Sequence, residues 1–155
     1  MFGERDELNV GVLTTPEVMT AADVMTVAPH TCSSFSTVLE AVMIFRDKDC
    51  GAVPILADGK PVAILTDRDV ALALSESPDV VNRPVSEIMA PGIVAVAPDD
   101  TLERVCDVLR DKAVRRVLVV DSAGQLLGII GWADIAPILS ERMMGRLVHD
   151  VISPS

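Results

Sequence analysis

A nine-residue pattern that occurs twice decides the fold of this chain. VAILTDRDV occupies residues 62–70, and LGIIGWADI occupies residues 127–135. In each copy an apolar run typical of a buried strand passes directly into a segment with helical spacing. In the first copy a hydroxyl, two carboxylates and a guanidinium stand at the junction. The recurrence of this order predicts an internal repeat, which has to be recognised before any other feature is interpreted.

Other segments return in the same order. Corresponding residues of the two copies are 64 positions apart at the start and 65 apart after the DSAG turn of the second copy. The matched segments are ADVM and SEIM (22–25, 86–89), STVLEAV and DTLERVC (36–42, 100–106), and AVPIL and RVLVV (52–56, 116–120). Each copy therefore predicts a short helical segment, a brief extended piece (31–33 and 94–96), a helix, two strands joined by a Gly-containing turn, and a closing helix.

The amphipathic helix of each copy is predicted from apolar residues on one face, namely Val38, Val42 and Phe45, and Leu102, Val105 and Leu109. Pro54 lies inside a strand pattern, which indicates an edge strand or one missing ladder bond.

We expect an α/β (α+β) fold of two β-α-β-β-α repeats, 16–76 and 85–145, joined by a linker at 77–84. A short N-terminal segment precedes them and a helical tail follows at 146–155. Neither copy buries a sufficient core alone, so the two should pack with pseudo-twofold symmetry.

Composition narrows the class of protein. The chain has 155 residues, of which 50% are hydrophobic and 3% aromatic, so the core must be built from Val, Ile, Leu, Ala and Met. Its formal charge of -10 disfavours nucleic acid or an anionic membrane as the main partner. No apolar run approaches the roughly 18 residues that span a bilayer. The three cysteines lack CxxC spacing, and no leader pattern is visible, so we expect a reduced, cytoplasmic protein.

The doubled pattern resembles a tandem pair of CBS domains, also called a Bateman module. The resemblance covers residues 16–145, with the motifs in the right order twice, and it is similar to the small stand-alone prokaryotic CBS-pair proteins. It implies a non-enzymatic regulatory module that binds AMP, ADP, ATP or S-adenosylmethionine in clefts between the repeats.

The TDRD junction has a structural and a functional interpretation, and the two are compatible. Thr66 and Asp69 have the spacing of a capping box, and Asp67 and Asp69 favour the positive end of a helix dipole. By resemblance, Thr66 lies near a phosphate and Asp69 near a ribose. Arg68 is then a candidate phosphate ligand, since a guanidinium can bind phosphate in bidentate fashion.

The resemblance also implies that the backbone at two strand starts contacts the adenine. These starts comprise His30, Thr31 and Cys32 in one case and Gly51, Ala52 and Val53 in the other.

The second copy departs from the motif. It keeps Asp134, but Gly131 replaces the threonine, and Trp132 either stacks on a base or blocks the site. Conversely, it carries Arg115 and Arg116 where the first copy has Gly51 and Ala52.

We therefore expect one competent site that joins Thr66 and Asp69 to Arg115 or Arg116. In the alternative, the two arginines are a solvated pair near Asp111 and Asp121.

Two other features allow different functions. Cys32 and Cys50, with His30 nearby, suggest a metal or redox sensor, although the spacing is that of no standard zinc motif. With only His30 and His149, no nucleophile–base–orienter set is evident, so no enzymatic activity is expected.

The C-terminus carries an apolar stripe at helical spacing. Its residues are Leu139, Met143, Leu147 and Val151, with Met144 and Val148 beside them; Glu141, Arg142 and Arg146 form the solvated side. The stripe either packs on the chain's own core or forms the interface of a homodimer or a docking face for an effector protein. A ligand-free interaction module is therefore the alternative to an adenosyl sensor.

Overall fold

The computed structural model describes residues 18–152, with side chains to residue 145. The first half contains α1 (Ala21–Val24), β1 (Thr26–Val27), β2 (Cys32–Ser33), α2 (Val38–Lys48), β3 (Ala52–Ala57), β4 (Lys60–Thr66) and α3 (Asp67–Glu76). Two 3₁₀ turns follow, Pro78–Asn82 and Val85–Glu87. The second half contains β5 (Ala95–Val96), α4 (Leu102–Asp111), β6 (Arg116–Val120), β7 (Leu126–Gly131) and α5 (Trp132–Ile152). The predicted mixed fold of two repeats is confirmed, and its closing helix and C-terminal tail form one helix through Ile152.

Each repeat forms a small sheet around its β-hairpin. The first sheet has the order β2-β3-β4, and the second has the order β1-β7-β6-β5. β1 thus belongs to the second sheet although in sequence it lies in the first repeat, before β2. In this pairing Thr26 lies opposite Ile129 and Val27 opposite Gly128. A two-residue strand has no periodicity, and this crossing was not predicted.

The segments that open the two repeats are exchanged. Ala21 N–H donates to the Asp100 carbonyl at 2.8 Å, and Val85 N–H donates to the Ser36 carbonyl at the same distance. Ala21 is buried in the core of the second repeat, and Val85 is buried in the core of the first. The repeats are therefore related by pseudo-twofold symmetry. The boundaries 16–76 and 85–145 remain predictions of the sequence units, while the two cores draw residues from both units.

The two cores have the composition expected from the sequence. Leu102, Val105 and Leu109 are buried along one face of α4. On α2, Val38 is buried, and Val42 and Phe45 are half-buried against the first core. Among the described residues, no polar or charged residue is fully buried. The predicted apolar faces of both helices are confirmed.

The β3–β4 hairpin follows from its turn. Asp58 and Gly59 have φ values of 52° and 77°, the left-handed pair that suits a two-residue hairpin. Pro54 lies in β3, which is the central strand, so the edge-strand alternative was wrong. β2 pairs only with Ile55 and Leu56, so it does not require an N–H from Pro54.

Gly128 allows β1 to approach β7. A β-carbon there would lie 2.5 Å from Met25 Sδ and 2.8 Å from the Thr26 carbonyl oxygen. Only glycine permits this contact without displacing backbone. Within residues 18–152, no helix combines the length and apolar character needed to cross a bilayer.

Candidate functional site

Two clefts lie between the repeats, and each takes residues from both. The Thr66 cleft, of about 530 Å³, is lined by Ile64, Thr66, Ala90, Pro91, Gly92, Ile93, Val94, Val114, Arg115 and Arg116. The Trp132 cleft, of about 690 Å³, is lined by residues 26–30, 48–52, Arg115, Arg116, Ile129 and 131–134. Most residues that line the Thr66 cleft have their counterparts in the other repeat among the residues that line the Trp132 cleft. The two clefts are therefore pseudo-equivalent.

Thr66 and Asp69 form the predicted capping box at the start of α3. Thr66 Oγ1 accepts a hydrogen bond from Asp69 N–H at 3.1 Å, and Asp69 Oδ2 accepts one from Thr66 N–H at 2.9 Å. The capping interpretation is therefore confirmed. At the equivalent junction, Asp134 Oδ2 accepts from Gly131 N–H at 2.8 Å, but the hydroxyl is missing.

The predicted site residues are divided between the clefts. Thr66 lies with Arg115 and Arg116 in the Thr66 cleft, whereas Asp69, which the shared-site hypothesis also requires, does not line it. The predicted residues that line the Trp132 cleft are His30, Gly51, Ala52, Arg115, Arg116 and Asp134. The structure therefore does not bring Thr66 together with the strand starts at His30 and Gly51 in one cleft.

The remaining predicted residues line neither cleft. Cys32 and Val53 are buried, and Thr31 is half-buried. Arg68 is exposed on α3, and Asp69 is half-buried on the same helix. Asp67 lines a third groove, of about 550 Å³, which also contains Gly51 and apolar residues of α2 and α3.

Arg115 and Arg116 have no ion pair and no side-chain hydrogen bond to any described residue. Arg115 is exposed and Arg116 is half-buried. Asp111 and Asp121, which the alternative of a solvated arginine pair placed near them, interact with other groups. Asp111 pairs with Arg110 at 3.3 Å, and Asp121 Oδ1 accepts hydrogen bonds from the backbone N–H groups of Ala123 and Gln125 at 2.9 Å. Two guanidinium groups are thus available at the walls of both clefts.

The Arg116 side chain extends across the boundary between the repeats. Its Cγ lies 3.5 Å from the point where a β-carbon on Gly131 would be. Its Nη2 lies 3.7 Å from the corresponding point on Gly51, and Asp67 Oδ2 lies 3.4 Å from that point. The two glycines leave the space that this side chain crosses.

Comparison with known proteins identifies the repeats. The model of the CBS domain matches residues 21–76 and 85–141. The chain belongs to the CBS-domain family. The CBS domain-containing protein YhcV of Bacillus subtilis (strain 168) is 32% identical over 114 residues, which cover 74% of this chain and 81% of YhcV.

Two solved structures share the fold. Hypoxic response protein I with two coordinated zinc ions matches with a TM-score of 0.67 and 28% identity, covering 77% of this chain and 98% of that chain. The CBS domain pair of protein MJ0100 in complex with 5′-methylthioadenosine and S-adenosyl-L-methionine matches with a TM-score of 0.73 and 25% identity, covering 81% of this chain and 98% of that chain.

The cysteines of the CBS repeats were the basis of the metal hypothesis. Burial raises the pKa of the Cys32 thiol, with smaller contributions from the negative charges of Glu40 and Cys50. Cys50 Sγ donates weakly to the Ile44 carbonyl at 3.9 Å, and all three cysteines are free. No group of three or more His, Cys, Asp or Glu residues in the described part of the chain is placed to hold a metal ion.

Sequence reasoning missed one wall of the Thr66 cleft. Residues 90–94 line it, together with Ile64 and Val114. At the repeat offset of 64, residues 90–94 correspond to residues 26–30, which line the Trp132 cleft. This correspondence is the sequence signal that could have identified residues 90–94 as part of a cleft.

Proposed function

We propose that this CBS pair is a non-enzymatic regulatory module that binds an adenosine-containing ligand in the Thr66 cleft. AMP, ADP, ATP and S-adenosylmethionine are the candidate ligands. The observation that carries the proposal is that Thr66, at the start of α3 in one repeat, shares a cleft with Arg115 and Arg116 of the other. The family supports a regulatory role, since stand-alone CBS proteins are generally not catalytic.

The chemistry of the Thr66 cleft suits such a ligand. Its volume of about 530 Å³ falls within the range of small-molecule sites, and apolar side chains with a few convergent polar groups are typical of them. Ile64, Ile93 and Val114 offer an apolar surface for the adenine. Arg115 and Arg116 offer charge-assisted hydrogen bonds to a phosphate or carboxylate.

The ribose is assigned to Asp69. Its Oδ2 accepts from Thr66 N–H, which leaves Oδ1 as an acceptor for a ribose hydroxyl. Asp69 lies in the first turn of α3 and does not line the Thr66 cleft, so this contact requires the ligand to extend from the cleft along the helix start. Arg68 remains a candidate for a distal phosphate, which would distinguish ATP from AMP.

The structural neighbour MJ0100 supports the ligand class. Its CBS pair is 25% identical to this chain and is in complex with 5′-methylthioadenosine and S-adenosyl-L-methionine. Ligand binding would bridge the two repeats and alter their packing, and an effector protein would read this change. Signalling of this kind requires different ligand affinities in the two states.

The satisfied capping box favours a second candidate function. Because Thr66 and Asp69 already have a structural role, the chain can be a ligand-free dimerisation or interaction module. The metal sensor at Cys32 and Cys50 has no such support, because the described residues contain no cluster of metal ligands.

Isothermal titration with AMP, ATP and S-adenosylmethionine tests the proposal. Wild-type protein should bind at least one of them saturably. In a double Arg115→Gln, Arg116→Gln variant the affinity for AMP should fall by about tenfold or more, since hydrogen bonds to charged groups contribute about 1.5–3 kcal/mol each.

Two variants control the titration. Arg104→Gln removes one positive charge, half of what the double variant removes, from an exposed position on α4 and should leave the affinity unchanged. Asp69→Asn keeps an oxygen that can cap the Thr66 N–H, and it should weaken binding without unfolding the helix start. A folded wild-type protein that binds none of the three ligands would contradict the proposal and favour the ligand-free module.

A further inference from the structure

The two clefts share a single pair of arginines. Arg115 and Arg116 line the Thr66 cleft and also the Trp132 cleft. Two pseudo-equivalent clefts in a repeated fold would ordinarily have two equivalent sets of lining residues. Here one pair of arginines has to serve both, and Lys48 is a further cation in the Trp132 cleft alone.

The first repeat has no arginines at the positions that correspond to Arg115 and Arg116. Arg116 is paired with Gly131 across the second hairpin, and Ala52 is paired with Thr66 at the same place in the first. Ala52 is therefore the counterpart of Arg116, and Gly51 is the counterpart of Arg115. Neither carries a charge.

An anionic ligand depends on these arginines in either cleft. The other charged residues of the Trp132 cleft are Lys48, Asp49 and Asp134, and His30 also lines it. The Thr66 cleft has no further charged residue in its lining. Because the whole chain has a formal charge of -10, an anion without the arginines would meet a repulsive field in both clefts.

The position of Arg116 allows it to serve either cleft. Its aliphatic part passes Gly131 in the Trp132 cleft, with Cγ 3.5 Å from the position of the missing β-carbon. It forms no ion pair and no side-chain hydrogen bond with the residues that the structure describes. Turning the guanidinium towards one ligand therefore breaks no ion pair or hydrogen bond with the described residues, but it withdraws the group from the other cleft.

We propose that the two clefts bind an anionic adenosyl ligand in alternation, so that occupancy of one lowers the affinity of the other by about tenfold or more. This inference rests on the proposed function, because it assumes that such a ligand binds. The coupling is reciprocal, since each cleft reduces the affinity of the other by the same factor. At ligand concentrations between the two dissociation constants the protein thus holds one anion, although its fold provides two clefts.

The test is the stoichiometry of AMP binding, measured by isothermal titration on the full chain. Wild type should bind one AMP per chain, with any second site weaker by about tenfold or more. Ala52→Arg gives the first repeat the arginine that it lacks, on the wall of the Trp132 cleft. This variant should bind two AMP molecules per chain with similar affinities.

Ala52→Gln is the matched control, because it adds a side chain of comparable length without charge and should keep one AMP per chain. Ala52→Lys tests the same point should Ala52→Arg fail to fold, which thermal melting checks. Two equal and independent AMP sites in wild type would overturn the inference while leaving the proposed function intact. A single site in the folded Ala52→Arg and Ala52→Lys variants would also overturn it. No AMP binding by wild type would instead remove the inference together with AMP as the ligand.

Discussion

Arg116 of the second CBS repeat extends to Gly51 of the first, with Nη2 3.7 Å from the point where a β-carbon on Gly51 would be. The repeat offset makes Gly51 the counterpart of Arg115, the residue beside Arg116. The absence of a side chain at one copy's strand start thus leaves space for the arginine from the other copy. This relationship makes the two repeats unequal in chemistry although they are nearly equal in fold.

Gly128→Ala tests the exchange of β1. The added methyl group would meet Met25 Sδ at 2.5 Å and the Thr26 carbonyl oxygen at 2.8 Å, so β1 has to move away from β7. We expect the free energy of unfolding to fall by about 1–3 kcal/mol in urea denaturation. Gly145→Ala is the control, because nothing lies within 4 Å and alanine favours the helix, so this change should stabilise the protein or leave it unaffected. Equal effects of the two substitutions would show that β1 is not held closely.

Thr66→Ala removes the hydroxyl that caps α3. Since Thr66 Oγ1 accepts from Asp69 N–H, its loss should lower the free energy of unfolding by about 1 kcal/mol. Thr66→Ser keeps the oxygen and should retain most of the stability. Thr37→Ala removes the same kind of cap from α2 and should cost a similar amount. If Thr66→Ala alone were neutral, the threonine would have no capping role, and binding alone would explain its position.

The Cys32 thiol should make stability fall in alkaline solution. Burial raises the pKa of Cys32 in the folded state, so above about pH 8.5 the unfolded chain loses the thiol proton more readily than the folded chain. Its contribution to stability is present below that pH and is lost as pH rises through the folded-state pKa. Urea denaturation at several pH values should therefore show a smaller alkaline loss in Cys32→Ala than in wild type. Val53→Ala, at a buried position that does not titrate, should shift stability equally at all these pH values; a parallel curve for Cys32→Ala would contradict the prediction.

Trp132 is the single tryptophan of the chain, and it lines only one of the two clefts. If AMP binds in the Thr66 cleft, Trp132→Leu should keep the wild-type affinity within about threefold, because the lost side chain makes no contact with the ligand. Stacking on the adenine would instead cost about 1–3 kcal/mol, which is roughly tenfold in affinity or more. Isothermal titration of the variant therefore decides whether Trp132 stacks on a base.

The exposed end of α5 should form the interface of a homodimer. Met143 and Met144 are 60% and 61% exposed, and Leu139 is 39% exposed beside them. The side chains of Leu147, Val148 and Val151, which complete the predicted stripe, lie outside the described residues, as does that of Arg146. Sedimentation velocity should detect a dimer in wild type and a shift to monomer in Met143→Glu, Met144→Glu. Ser140→Glu, an exposed change on the same helix, should have no effect, and a wild-type monomer would contradict the prediction.

The sequence by itself determined the repeats, their mixed architecture and the helix cap at Thr66. These features depend on local chemistry: the apolar periodicity of Leu102, Val105 and Leu109, the Asp58–Gly59 turn, and the three-residue spacing of Thr66 and Asp69. Each of them involves residues close together in the chain, so pattern and spacing were sufficient to predict them.

The tertiary structure alone decided which residues share a cleft. Spacing did not reveal that Thr66 is grouped with residues 90–94 and not with His30 and Gly51, nor that β1 joins the sheet of the second repeat. The physical reason is the exchange of the segments that open each repeat, whose hydrogen bonds and burial join residues more than forty positions apart. Once that exchange is formed, Arg116 lies between two clefts, a position that no local pattern specifies.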